Sequence, residues 1–164
     1  MNQATSQASQ KLQPTPSWQD WVIADEEERL EFLSRHFLVG ATTADNLRYG
    51  IAVKTITDYD GGYWEYAVTP DGFGFVYPKV SDVDNPVIEV SNIFQDNFAK
   101  LHPVLVGIHT TRLMLLQIMM SAETLQLTDR EEIRIHDHYY AMRDYGRSLA
   151  KKLDQADQFY ALVD

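Results

Sequence analysis

Eleven residues, DYDGGYWEYAV at 58–68, bring three carboxylates, three tyrosines and a tryptophan around a Gly-Gly pair. Asp58, Asp60 and Glu65 are close enough in the chain to raise one another's pKa, the usual preparation for general acid and base work. That chemistry also needs a nucleophile or a phosphate cradle, and neither accompanies them: G-x-S-x-G, G-x-x-x-x-G-K-[ST] and G-x-G-x-x-G are all absent. The histidines offer no metal site either. His136 and His138 are two apart on a helical stretch, so their rings point about 200° from one another, whereas chelation from a helix uses i and i+4. Capping or surface hydrogen bonding is the expected role for that pair, and partial burial with a backbone partner the expected role for His102 and His109. With no cysteine in the chain, thiol nucleophiles, disulfides and cysteine zinc sites are excluded. Nothing in these residues calls for a cofactor or assigns a catalytic residue.

Charge narrows the partners. The chain of 164 residues carries a net charge of −10. Between residues 58 and 96 there are eight acids (Asp58, Asp60, Glu65, Asp71, Asp82, Asp84, Glu89 and Asp96) against Lys79 alone, a local net of −7. Such a field repels a phosphate backbone, so direct nucleic acid binding is not expected. An acidic DNA mimic would need these carboxylates in a continuous, phosphate-like row; a small-ligand enzyme would need a pocket of convergent polar groups.

The elements that must position these groups follow from periodicity. Residues 1–20, rich in Gln, Ser, Thr and Pro, read as a flexible tail ahead of one domain over 21–164. Asp25 with Glu28 three residues on forms a capping box that opens a helix over about 26–37. Leu47 and Ile51 suggest a second helix over 44–57. Gly61 and Gly62 supply the permissive backbone of a helix-to-strand turn. YWEYAVT and GFGFVYP then flank Thr69-Pro70-Asp71-Gly72 as a hairpin. VIEVSNI at 87–93 is expected to return antiparallel beside the second strand, completing a three-stranded meander. Pro103 opens a helix running to Met120 that is apolar nearly all round. It is broken by Arg112 and Gln117 and so reads as a core helix rather than a membrane span. Thr128 and Glu131 cap a long helix over 129–152, and a short one follows over about 154–162. The fold class is α+β: a small three-stranded antiparallel meander packed with four to five helices. No leader segment stands at the N-terminus, so the cytoplasm is the expected compartment.

Two stretches, DYDGGYWEYAVTPDGFGFVYP and HYYAMRDYG at 138–146, together resemble the antirestriction proteins of the ArdB/KlcA type, carried by plasmids, phages and other mobile elements. The resemblance covers about residues 25–164. The chain departs from the family pattern at Leu101-His102-Pro103, where a Ser or Thr cap with an acidic residue is usual, and in its longer N-terminal segment. The resemblance implies protection of incoming DNA from type I restriction endonucleases, no catalysis, no cofactor, and the host restriction system or an associated host factor as partner. It marks Gly61, Gly62, Tyr63, Trp64, His138, Tyr139, Tyr140 and Tyr145 as motif residues. From the residues themselves, Trp64 and Tyr66 are expected to anchor the sheet. Asp58, Asp60 and Glu65 are expected to form, with Arg143 and Asp144, an exposed polar surface that meets a partner; Arg143 and Asp144 can equally pair locally on their helix.

Overall fold

The computed structural model describes residues 15–80, 83–93 and 95–164. Ten elements follow in chain order: β1 (Val22–Ile23), α1 (Glu26–Phe37), α2 (Ala41–Thr55), β2 (Trp64–Val68), β3 (Gly74–Pro78), β4 (Ile88–Asn92), β5 (Gln95–Leu101), α3 (Pro103–Met120), α4 (Asp129–Lys152) and α5 (Ala156–Val163). They form a mixed α+β domain with five helices, a three-stranded antiparallel sheet in the order β1-β2-β3, and a separate β4-β5 ribbon.

Local chemistry sets most of these boundaries. The Asp25 carboxylate accepts from Glu28 N at 2.8 Å while Glu28 Oε2 accepts from Asp25 N at 3.1 Å, so the expected capping box is present. Thr128 and Glu131 do the same for α4. His102 Nδ1 accepts from Val104 N at 3.2 Å and caps α3, with Pro103 in the first turn where no amide partner is required. The second helix begins at Ala41, three residues before the expected start, with Gly40 as its N-cap and no side-chain cap.

The hairpin forms in the expected register, Trp64 opposite Pro78 through Val68 opposite Gly74. Membership of the sheet is different from expectation. The third strand is β1, pairing Val22 with Val68 and Ile23 with Ala67. Residues 88–92 do not lie beside β3; they pair with β5, a strand the periodicity did not suggest, and the ladder shifts register at Ser91/Asn92. The reason lies at the free edge of β3, which helices fill. The amide of Val76 donates to Thr111 Oγ1 on α3 at 3.2 Å, and the carbonyl of Gly74 lies 2.7 Å from His138 Nε2 on α4. Those two backbone groups are satisfied by side chains, so the edge has no need of a fourth strand.

Of the expected tail, residues 1–14 lie outside the described residues. Within the rest, Trp18 packs against Trp21 and His102 at ring-centroid distances of 5.6 and 5.2 Å, and Asp20 accepts from the Tyr145 hydroxyl at 2.6 Å. The structured part therefore begins before residue 21, because two tryptophans and an acid near that boundary find partners.

α3 is the centre of the domain. Of its 18 residues, those from Pro103 to Leu115 are all buried, and 78% of the helix lies inside the fold, so its apolar length serves the core. It approaches β3 through Gly107, where an added Cβ would run into the Tyr77 backbone, the Tyr77 Cβ and the Val76 carbonyl. Backbone cannot give way there. Gly107→Ala is expected to cost about 2–3 kcal/mol through overpacking, outweighing the roughly 1 kcal/mol gained in helix propensity. The loss would appear as a Tm lowered by about 2–4 °C per kcal/mol. An unchanged Tm would contradict this helix-on-strand approach.

Candidate functional site

The Gly-Gly hairpin entrance sits between α1, α2 and β2. Gly61 and Gly62 have φ of 101° and 123°, values that side-chain-bearing residues rarely adopt, and Asp58 is left-handed at φ 53°, a conformation aspartate tolerates better than most. These three positions turn the chain from the end of α2 into β2. Trp64 is thereby delivered into the core at 5% exposure, its indole Nε1 donating to Tyr59 Oη at 3.0 Å. Arg48 completes this corner: it stacks over Trp64 at 5.0 Å, donates to Tyr59 Oη at 3.4 Å, and holds Asp45 at 2.9 Å.

A second cation organises the neighbouring strand. Arg29 on α1 donates from Nη2 to the Trp64 carbonyl at 2.5 Å and lies 4.6 and 4.8 Å from the ring centres of Tyr63 and Tyr66. It also pairs with Glu65 at 3.7 Å, and Lys79 approaches the other carboxylate oxygen at 3.3 Å. Glu65 is only 8% exposed. Both faces of β2 are covered, so the residue that alternation places opposite Trp64 is inside as well. The expectation that Glu65 belongs to an exposed contact surface is therefore corrected: it is a buried carboxylate held between two cations.

Around this frame the outer residues are open. Asp58 and Asp60 are exposed, and so are Tyr49 and Tyr63, each at 55%. Tyr49 meets Tyr59 edge-on at 6.0 Å, and Tyr63 is backed by Arg29 and Lys79. The hairpin entrance thus presents two exposed tyrosines, one supported by Tyr59 and the other by Arg29 and Lys79, with exposed acids nearby, and aromatic side chains are among those that dominate binding energy at protein interfaces. Arg143 and Asp144 belong elsewhere: they pair with each other at 3.0 Å on α4, with Arg143 over the Tyr140 ring at 4.8 Å. Among the described residues no hydrogen bond or ion pair joins them to Asp58, Asp60 or Glu65, and the local helix pairing is the reading that the geometry supplies.

HYYAMRDYG is chiefly a packing face of α4. His138 is buried, not on the surface: Nε2 lies 2.7 Å from the Gly74 carbonyl and Nδ1 3.2 Å from that of His36. A neutral imidazole has one N–H, which the shorter contact assigns to Nε2, donating to Gly74. Burial holds this imidazole down to about pKa 4 even though both carbonyls favour the charged form. Tyr139 Oη accepts from Arg112 at 3.1 Å, and the Tyr145 hydroxyl, donating to Asp20, has its pKa raised by burial and then by that acid. Tyr140 is half open and rests on His136 and Tyr139. Gly146 leaves room for Phe159 of α5 and Ile108 of α3.

Arg29, Arg48 and Tyr59 were not singled out from the sequence as site residues. The Asp45/Arg48 spacing of three is a signal that could have found one of them. Arg29 reaches a strand 35 residues away, which only the fold brings near.

No protein-family model matches the sequence, and no curated protein matches it. Among solved structures, one described as that of the KlcA and ArdB proteins, with a novel fold and with antirestriction activity against type I DNA restriction systems in vivo but not in vitro, superposes with a TM-score of 0.64. Identity is 21%, and the match spans 89% of this chain and 99% of the other. The hairpin, the apolar central helix and the long capped helix are thus parts of one known architecture, and the chain has the fold of the KlcA and ArdB proteins.

Proposed function

We propose that this chain is an antirestriction protein of the ArdB/KlcA type, which protects incoming mobile-element DNA from type I restriction in the cytoplasm, without catalysis, by contacting a protein. The observation that carries the reading is the fold match across 89% of the chain, in the same direction as the sequence resemblance at residues 58–78 and 138–146. The exposed aromatic face supports a protein partner. Glu65 cannot join a phosphate-like row of carboxylates, because it is buried between Arg29 and Lys79. The matched protein works in vivo but not in vitro. An agent that simply occupied the endonuclease would work in both settings, so the partner proposed here is a host component or an assembly present in cells.

The test is the plating efficiency of unmodified phage on cells with an active type I system. Expression of this protein is expected to restore plating, with no effect in matched cells lacking restriction. Failure of a soluble, folded protein to do so would remove the proposal. Tyr49→Ala/Tyr63→Ala then tests the face. Both side chains are more than half exposed, so stability should change by no more than about 1 kcal/mol. Loss of two aromatic anchors is expected to weaken protection by roughly 30-fold, the equivalent of about 2 kcal/mol of contact energy. Full protection by the folded double variant would exclude this face. Asp58→Asn/Asp60→Asn asks the same of the acids while keeping a residue that tolerates the left-handed backbone at position 58.

A further inference from the structure

On the side of α3 that faces α4 and α5, two polar side chains are buried without complete partners. Arg112 is 4% exposed and His109 wholly buried. From Nη2, Arg112 donates to the Tyr139 hydroxyl at 3.1 Å and at 3.4 Å to the Val163 carbonyl; among the described residues its Nε has no acceptor. Among the described residues no carboxylate comes within ion-pair distance of it. Asp164, the acid that most favours its charge, is taken by Arg147. The Nε2 of His109 lies 3.1 Å from the Ser91 carbonyl, to which the neutral ring donates, and among the described residues Nδ1 has no donor. Both residues line a recess of about 160 Å³ together with Asn92, Leu116, Tyr139 and Asp164.

A guanidinium carries five N–H donors and keeps its charge, so burying it without a counterion costs several kcal/mol. Packing does not require it: leucine or methionine would fill a position on an apolar helix without that cost. The surrounding charge also departs from that of the acidic chain. Arg143 lies near enough to disfavour the Arg112 charge, and Arg147 neutralises Asp164. We propose that this recess binds a small oxyanion, phosphate or carboxylate, with the Arg112 guanidinium as its charge partner. An oxygen of either anion would supply the counter-charge to the part of the Arg112 guanidinium that the recess leaves open; His109 is wholly buried behind it and makes no contact with the ligand. The site is separate from the hairpin face and does not depend on the antirestriction reading.

Calorimetric titration of the full chain with inorganic phosphate, and separately with acetate, against chloride at matched ionic strength, tests it. Saturable binding of either anion is expected, and which of the two binds assigns the ligand class. Arg112→Met should fold and lose the saturable heat. Arg112→Lys, a point charge without the planar fork, should bind at least about tenfold more weakly. Stabilisation by phosphate through exclusion from the protein surface would persist in Arg112→Met, and so is distinguishable from binding. No saturable heat from the unaltered protein with either anion, or heat undiminished in the methionine variant, would overturn the proposal.

Discussion

Taking the protein from pH 7 to pH 4.5 is expected to remove much of its stability. His109 and His138 are buried and neutral, each pulled from the ordinary 6.5 to about 4 chiefly by desolvation. Between those values the unfolded chain binds a proton at each histidine and the folded chain does not, so protons favour unfolding. The stabilisation is complete above about pH 6.5, falls as pH drops, and stops falling near 4, where the folded rings also protonate. Each histidine contributes about 1.4 kcal/mol per pH unit, and the pair on the order of 5–7 kcal/mol across the window. Set against a typical total of about 5–15 kcal/mol, that is enough to bring the domain close to unfolding. Urea midpoints measured every half unit from pH 7.5 to 4.5 would trace it. His109→Gln, which can still donate to the Ser91 carbonyl, should lower the slope by about 1.4 kcal/mol per pH unit. A flat profile from 6.5 to 4.5 would mean that the two rings are not the buried neutral groups described.

Phe75→Ala should cost about 3–5 kcal/mol, at the upper end for a single core truncation. Phe75 has no exposed surface. It meets Trp21 edge-on at 6.0 Å, stacks on Tyr77 at 5.8 Å and touches Tyr145 at 5.9 Å. These partners are tethered from behind: Tyr145 by Asp20, and Trp21 by a 3.4 Å hydrogen bond to the Tyr77 hydroxyl. They have little freedom to collapse into the void, which is why a value near the top of the range is expected. Tm should fall by about 10 °C or more, and Trp21 should become more accessible to a fluorescence quencher. Phe75→Leu, leaving less empty space, should cost about half as much. A loss under 1 kcal/mol for the alanine variant would show that this aromatic cluster is not the joint between the N-terminal strand, the hairpin and α4.

Much of this architecture was legible residue by residue. Asp25/Glu28 and Thr128/Glu131 announced two helices because a capping box is local chemistry, closed within four residues. The two-residue φ anomaly at Gly61-Gly62 and the turn at Pro70-Asp71-Gly72 are likewise properties of short segments, and the hairpin between them follows. The apolar positions that run nearly all round residues 103–120 announced a helix at the centre of the core.

Pairing across distance was decided by the tertiary structure. Nothing near residues 88–92 says that the edge of β3 is already occupied, since its groups are taken by Thr111 and His138 from helices that come later in the chain. Nor does alternation reveal whether the second face of a strand is wet: Glu65 is buried because Arg29 and Lys79 converge on it from separate elements. The same holds for Arg112, whose position on an apolar helix is plain in the sequence, while its burial and the recess beside it exist only once α3, α4 and α5 are packed together. Local order follows from interactions closed within a few residues, and those the amino-acid sequence determines by itself; burial, charge pairing and sheet membership depend on which distant groups arrive, and only the assembled fold decides that.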